Sequence, residues 1–371
     1  MLLYFCFVRM IYKIALSLIK GLSVNLIEEI EKNCSNDQEV FNALKLLVKN
    51  PRNTKSERIK SQLKNDAILN LAEKIAKNCL ANRIKIATQK SHYYPKLLKE
   101  CPDKPYLLYQ KGNRNPNDQE LIAIVGTRSC TTYGLKNCEE IVSQLKNYKI
   151  AIVSGLAYGI DIKTHLCANE NQIVNYGVLG SGIMNIYPKK HQNHAEEIMQ
   201  NGMLISEFPP NTPPLGYHFP KRNRIIAGMA KSTIVIESAA KGGAIITGEI
   251  ANSYNRDVFA IPGDIHNPYS KGCNHLIFKQ KAHLLKSPAD LIEFLELTKT
   301  SGKRTMKQKP KINLTKNQYI IYNIIGENEK INFNALQKTS NMKTTELMVL
   351  LLEMEIGNII KELPGKIYRL L

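Results

Sequence analysis

The side chains most suited to chemistry are cations set beside glycine turns. Arg128 lies in the run Ile-Ala-Ile-Val-Gly-Thr-Arg-Ser-Cys-Thr-Thr-Tyr-Gly, residues 122–134. A β-branched stretch ends at Gly126, and the polar loop carrying Arg128 then leads into a helix. Strand, glycine turn and helix N-terminus together make a cradle for a phosphate-sized anion. The glycine spacing of a dinucleotide fingerprint is missing, so no nicotinamide or flavin pocket is implied. Three more loops follow predicted strands. They are Ser154-Gly155-Leu156-Ala157-Tyr158-Gly159-Ile160-Asp161, then Gly180-Ser181-Gly182 leading to Tyr187-Pro188-Lys189-Lys190, and Lys241-Gly242-Gly243-Ala244 opening a helix that includes Thr247. Each alone is an ordinary tight turn; four on one rim could carry a run of phosphates across free backbone N–H groups. In Phe219-Pro220-Lys221-Arg222-Asn223-Arg224 the proline reads as a helix start. That places three cations in a first turn where the dipole is already positive, which makes sense when an anion occupies the spot. Tyr133, Tyr158, Tyr187 and Phe219 flank these loops and offer ring faces to bases, with ordinary packing as the plain alternative.

Groups for bond-making chemistry are not assembled. The predicted rim has no paired carboxylates, no Ser-His-Asp order and no Walker lysine; Asp161, Glu207 and Glu237 stand singly, suited to orienting a loop or capping a helix. The eight cysteines include no C-x-x-C pair, and His191 and His194 lack a third ligand at useful spacing. A metal site and a disulfide framework are therefore not expected, and a reducing cytoplasm is. No catalytic set and no cofactor are predicted.

The elements that must position these residues alternate along the centre of the chain. Apolar strands are predicted at 121–125, 150–153, 174–179, 204–206, 233–237 and 257–261, with helices at 135–145, 189–200, 224–230 and 244–253. Strands that are apolar throughout and separated by helices indicate a parallel sheet covered on both faces, so the fold class is α/β, doubly wound and Rossmann-like. Residues 1–86 show helical periodicity and read as a small helical domain, and 87–120 as a connector with extended pieces. The Rossmann-like domain covers 121–297, and a basic linker (Lys303, Arg304, Lys307, Lys309, Lys311) covers 298–312. Residues 313–371 read as three helices and a basic hairpin turning at Pro364-Gly365, a winged helix. The apolar start of the chain is interrupted by Arg9, Lys13 and Lys20, too often for a bilayer span, and no other segment could cross a membrane. A net charge of +19 favours a polyanionic partner, nucleic acid before a membrane surface. A lysine-rich proteome is the bland alternative.

The motifs Val-Gly-Thr-Arg…Tyr-Gly (125–134), Ser-Gly-Leu-Ala-Tyr-Gly-Ile-Asp…His (154–165), Leu-Ile-Ser-Glu-Phe-Pro-Pro (204–210) and Phe-Pro-Lys-Arg-Asn-Arg-Ile-Ile-Ala-Gly (219–228) resemble the DprA/Smf family of DNA-processing proteins. Gly-Gly-Ala-Ile-Ile-Thr (242–247), Val-Phe-Ala-Ile-Pro-Gly (258–263) and Gly-Cys-Asn-His-Leu-Ile (272–277) extend the likeness through the central domain. The resemblance implies a cytoplasmic, non-enzymatic mediator that coats and protects single-stranded DNA during natural transformation and loads the RecA recombinase. It also implies a homodimer through the Rossmann-like domain, and a SAM-like character for the N-terminal helices. The DNA-binding residues expected on these grounds are Gly126, Arg128, Ser154, Gly155, Lys189, Lys190, Phe219, Lys221, Arg222, Asn223, Arg224, Gly242, Gly243 and Thr247. Two positions depart from the family pattern: Tyr158 stands where many members have arginine, and His191 where many have asparagine. The sheet is also similar to that of phosphoribohydrolases that release a base from a nucleotide. Here no Gly-Thr pair follows Gly242-Gly243, although Glu249 falls near the expected acid. A third reading, double-strand recognition by the winged helix, meets a third helix (344–354) rich in Leu and Glu, with no arginine for base edges.

Overall fold

The computed structural model describes residues 2–49, 53–64, 66–299, 314–328, 330–357 and 359–370. It divides into two units, residues 1–300 and 301–371. Most of the predicted linker, 300–312, lies outside the described residues.

The first unit is built on a nine-stranded sheet. Its strands are β1 (Lys85–Thr88), β2 (Leu107–Gly112), β3 (Glu120–Val125), β4 (Ile150–Ser154), β5 (Asn175–Val178), β6 (Met203–Ser206), β7 (Ser232–Val235), β8 (Asp257–Ala260) and β9 (His283–Leu284). In space they run β1-β2-β6-β5-β4-β3-β7-β8-β9. The pairs from β6 to β9 are parallel, whereas β1 with β2 and β2 with β6 are antiparallel. The chain leaves β3 in one direction through β4, β5 and β6, then returns to place β7 on the other side of β3. Strand order therefore reverses between β3 and β7, and a doubly wound sheet opens its ligand crevice at such a point.

Both faces of the sheet are buried, as the apolar strands predict. Ala123, Val125 and Val153 share a core with Ile225, Ala227, Ile245 and Leu276 from helices on one face. Ile122, Ile124 and Ile152 pack with Cys138, Ile141 and Leu291 on the other. The period of two along β3 thus divides its side chains between two helix layers. Two expectations change at the sheet's edge. Residues 87–120, expected as a connector, supply β2 and the second half of β1. The helices of 1–86 do not form a core of their own, because Ile14, Phe41, Leu44 and Ala76 belong to the cluster that includes Leu107, Tyr109 and Leu204. Short strands mixing Lys, Gln and Tyr carry little apolar periodicity, which is why they read as linker.

The second unit holds helices Lys316–Asn328, Phe333–Ser340 and Thr344–Ile356. They pack on a small antiparallel sheet of β10 (Ile331–Asn332), β11 (Ile360–Leu363) and β12 (Ile367–Leu370), ordered β10-β12-β11. Its core gathers Ile321, Ile325, Leu336, Leu347, Met354 and Tyr368. Three helices and a wing are the winged-helix arrangement. The third helix leaves Met348, Val349, Leu352 and Ile356 exposed.

Candidate nucleic-acid interface

The C-terminal ends of β3 and β7 open onto a cleft of about 650 Å³. Its walls include Gly126, Thr127 and Arg128 from the first loop, and Tyr187, Phe219, Arg222 and Asn223 from the middle of the chain. Gly242, Gly243 and Thr247 close it on the β7 side.

The loop of Arg128 is held from below by a buried carboxylate. Glu237, just beyond β7, accepts from the Thr131 N–H (2.9 Å) and hydroxyl (2.6 Å), and its carbonyl accepts from the Thr127 N–H (2.7 Å). Thr131 in turn caps the helix Thr132–Leu145. Gly126 is a glycine for steric reasons, since a Cβ there would lie 2.5 Å from Ile160 Cγ1. Arg128 itself is exposed, forms no ion pair among the described residues, and lies with its guanidinium 5.6 Å from the centre of the Phe219 ring. A neutral ring is a support for that cation rather than a counter-charge. On the far wall Gly242 caps the helix Gly243–Ser253, and a Cβ on Gly243 would meet nothing within 4 Å. Thr247 and Asn223 both donate to the Gly243 carbonyl, at 3.2 and 3.4 Å. The Gly243 backbone thus stands bare and fixed at the cleft.

The cations of 221–224 divide their labour in a way the motif does not reveal. The helix begins at His218, not after Pro220, so Lys221 completes its first turn while Arg222 and Arg224 fall in the second. The dipole effect is confined to the first turn, so the helix-end argument does not apply to the two arginines. Arg222 is only 3% exposed, and its Nη1 donates to the carbonyls of Gly155 and Val178, tying the ends of β4 and β5 together. Burial pushes this guanidinium down to about 10, with the positive charge of Arg128 adding to the fall and nearby Asp161 opposing it. Burial likewise raises the Asp161 carboxyl, while Arg222 and polar groups of Ala157, Ser154 and Gly126 pull it back. Arg224 pairs with Glu207 and donates to the Asp103 carbonyl, and Lys221 sits 3.3 Å from the same Glu207 while remaining half exposed.

Of the remaining predicted residues, Ser154 is fully buried and spends its hydroxyl on the Ile124 carbonyl (2.6 Å). Gly155 lies under Arg222 and Asp161, which a Cβ would strike. Lys189 and Lys190 are exposed, without ion pairs among the described residues, in a single turn of 3-10 helix, Lys189–His191. Of the expected residues, Gly126, Arg128, Phe219, Asn223, Gly242, Gly243 and Thr247 line one cleft together with the buried Arg222. Ser154, Gly155 and Arg224 serve the framework around it. Beneath the floor His165 is buried and donates from Nδ1 to the Asn175 side chain (2.8 Å); burial depresses its pKa to about 4.

The family model for DNA recombination-mediator protein A matches residues 85–296, more than half of the chain. The chain belongs to that family. Among family members, the DNA processing protein DprA of Streptococcus pneumoniae is 41% identical over 203 residues, which span 55% of this chain and 71% of the relative. The protein Smf of Escherichia coli is 38% identical over 207 residues, 56% of this chain and 55% of that one. The crystal structure of the Streptococcus pneumoniae DprA superposes with a TM-score of 0.65 at 32% identity, covering 78% of this chain and 98% of the relative. A DprA structure from Helicobacter pylori, reported for its single-stranded DNA binding mode, gives a TM-score of 0.52 at 26% identity, covering 57% and 96%. Among the described residues no helix is long and apolar enough to cross a membrane.

Proposed function

We propose that this protein binds single-stranded DNA along the rim of the β3–β7 crevice and hands it to the RecA recombinase. The observation that carries the reading is Arg128, an exposed guanidinium without an ion-pair partner among the described residues, backed by Phe219 and lining the same cleft as the bare Gly243 backbone. Lys189, Lys190 and Lys221 extend positive charge from this point. The single-strand binding of the Helicobacter pylori relative supports the same ligand class. The site reads as a binder rather than a catalyst because its carboxylates are committed. Glu237 holds Thr131, Asp161 is buried near Arg222, and Glu207 meets Lys221 and Arg224. Glu249, the acid a phosphoribohydrolase would use, pairs on the surface with Lys281 at 2.8 Å and does not line the cleft.

The test is an anisotropy titration of a labelled single strand against salt. Arg128→Ala weakens binding and reduces the slope of log K against log salt by about 0.7, one phosphate contact. An unchanged affinity and slope would remove Arg128 from the interface. RecA loading is read separately, as filament assembly on strands coated by a single-strand-binding protein, with and without this chain. A homodimer is supported by the free edge at β9, where Phe278 (78%), Phe294 (49%) and Leu284 (46%) are exposed. Phe278→Asp with Leu284→Asp is expected to halve the mass seen by light scattering; an unchanged mass places the interface elsewhere.

A further inference from the structure

We propose that Tyr158, on the loop packed against that of Arg128, is a second base-stacking ledge, so that the rim engages two bases around one phosphate. This rests on the single-strand reading above and adds a subsite to it. The first ledge is Tyr187, which is 43% exposed and backed by the Phe219 ring, with centroids 5.5 Å apart. Tyr158 repeats that arrangement. It too is 43% exposed, and it is backed edge to face by the His191 imidazole at 4.9 Å and 74°. Its hydroxyl has no hydrogen-bond partner among the described residues, so packing alone does not account for a tyrosine there.

The ledge is tied to Arg128 through the backbone. Gly159, the next residue, has a φ of +76°, and a Cβ on it would collide with the carbonyls of Thr127 and Arg128. The Ile160 N–H also donates to the Thr127 carbonyl (3.2 Å). The loop cannot swing away either. Arg222 holds the Gly155 carbonyl, and His191, only 6% exposed, donates from Nδ1 to the carbonyl of Leu156 at 2.9 Å. Leu156 has a φ of +57°, a conformation an L side chain adopts only when its surroundings impose it. His191 therefore both fixes the loop and supports the ring that the loop presents. His191 ends the short turn Lys189–His191 and Tyr187 precedes that turn by one residue beyond Pro188, so Lys189 and Lys190 lie in sequence between the first ledge and the support of the second. Bases stack on such rings without regard to identity, and each stack is lost when the ring is removed.

The experiment separates stacking from phosphate binding. Oligo(dT) and a backbone of equal length with abasic sites throughout are titrated against wild type, Tyr158→Ala, Tyr158→Phe and Arg128→Ala. For Tyr158→Ala the expected result is a loss of about 5- to 150-fold on oligo(dT), no loss on the abasic strand and an unchanged salt slope. Tyr158→Phe retains affinity. Equal losses on both strands mean that the ring only shapes the loop, and no loss on oligo(dT) means that no base reaches it; either overturns the proposal. If Tyr158→Ala is silent while Arg128→Ala weakens both strands, the single-strand reading stands and only the second ledge fails. If wild type binds neither strand, both fall.

Discussion

Replacing Arg222 with methionine removes a buried cation while keeping most of its volume. Three acceptors lose their donor: the carbonyls of Gly155 and Val178 and the side chain of Asn223. Asp161, 6% exposed, loses the positive charge that holds its carboxyl down. Arg222 and Asp161 are neighbouring buried charges without a direct ion pair, so the cost is expected to approach, at most, the roughly 3–5 kcal/mol typical of breaking a buried pair from one side. Much of that cost should disappear when the survivor is neutralised, so Asp161→Asn added to Arg222→Met is expected to restore at least about 2 kcal/mol. The pH dependence follows. Without Arg222 the folded pKa of Asp161 moves further above its unfolded value, so the folded state binds more protons than the unfolded one. Stability of Arg222→Met is then greatest at acid pH and declines as pH rises from about 4 through the raised folded pKa, so the deficit against wild type widens as pH rises. The chain has no tryptophan, so urea unfolding is best followed by circular dichroism, with the second unit's transition fitted separately. A cost below about 1 kcal/mol, or one indifferent both to pH and to Asp161→Asn, would refute the assignment of Arg222 as a buried charged tie.

Other residues give independent checks. Glu237→Ala leaves the Thr131 N–H and hydroxyl without their acceptor, which should cost about 1–3 kcal/mol and speed amide exchange over 126–131. His165 is held neutral, with its pKa lowered to about 4. The unfolded state then binds the extra proton first, so stability is lost as pH falls from about 6.5 to 4, on the order of 3 kcal/mol in all. Denaturant midpoints of His165→Gln should lack that acid limb. Gly243→Ala has open space for its methyl group and should leave stability unchanged or raised by about 0.4–1 kcal/mol. Gly243→Glu should fold equally well yet lose single-strand affinity in the anisotropy assay, because it puts a negative charge where a phosphate would lie.

The crevice was legible because glycine turns mark the C-terminal ends of the apolar runs, and a doubly wound sheet binds ligands outside those ends; the strand order that sets its position was not legible. Arg128 could be picked out for the same reason. The split between Lys221, exposed, and Arg222, buried, was not legible. His218, Arg222, Ile225, Ile226 and Met229 recur at helical spacing on the buried side of the helix His218–Met229, but an arginine at such a position reads in sequence as solvent-facing. Glu237 reads in sequence as a lone acid; only the folded loop shows that Thr131 comes back to meet it. Strands β1 and β2 were read only as extended pieces of a connector, for want of apolar alternation. The contact between Tyr158 and His191 joins residues 33 positions apart, and nothing local announces it.

The ties beneath the rim have a consequence for which strands it prefers. Glu237 fastens one loop to β7, and Arg222 fastens another across β4 and β5, so the landing points along the crevice are set before DNA arrives. A fixed ruler asks the polymer to do the adjusting. Oligo(dA), which stacks on itself, must first surrender that order, whereas oligo(dT) is limp and conforms at little cost. Preference among sequences would then follow the stiffness of the free strand, without requiring any contact to a base edge.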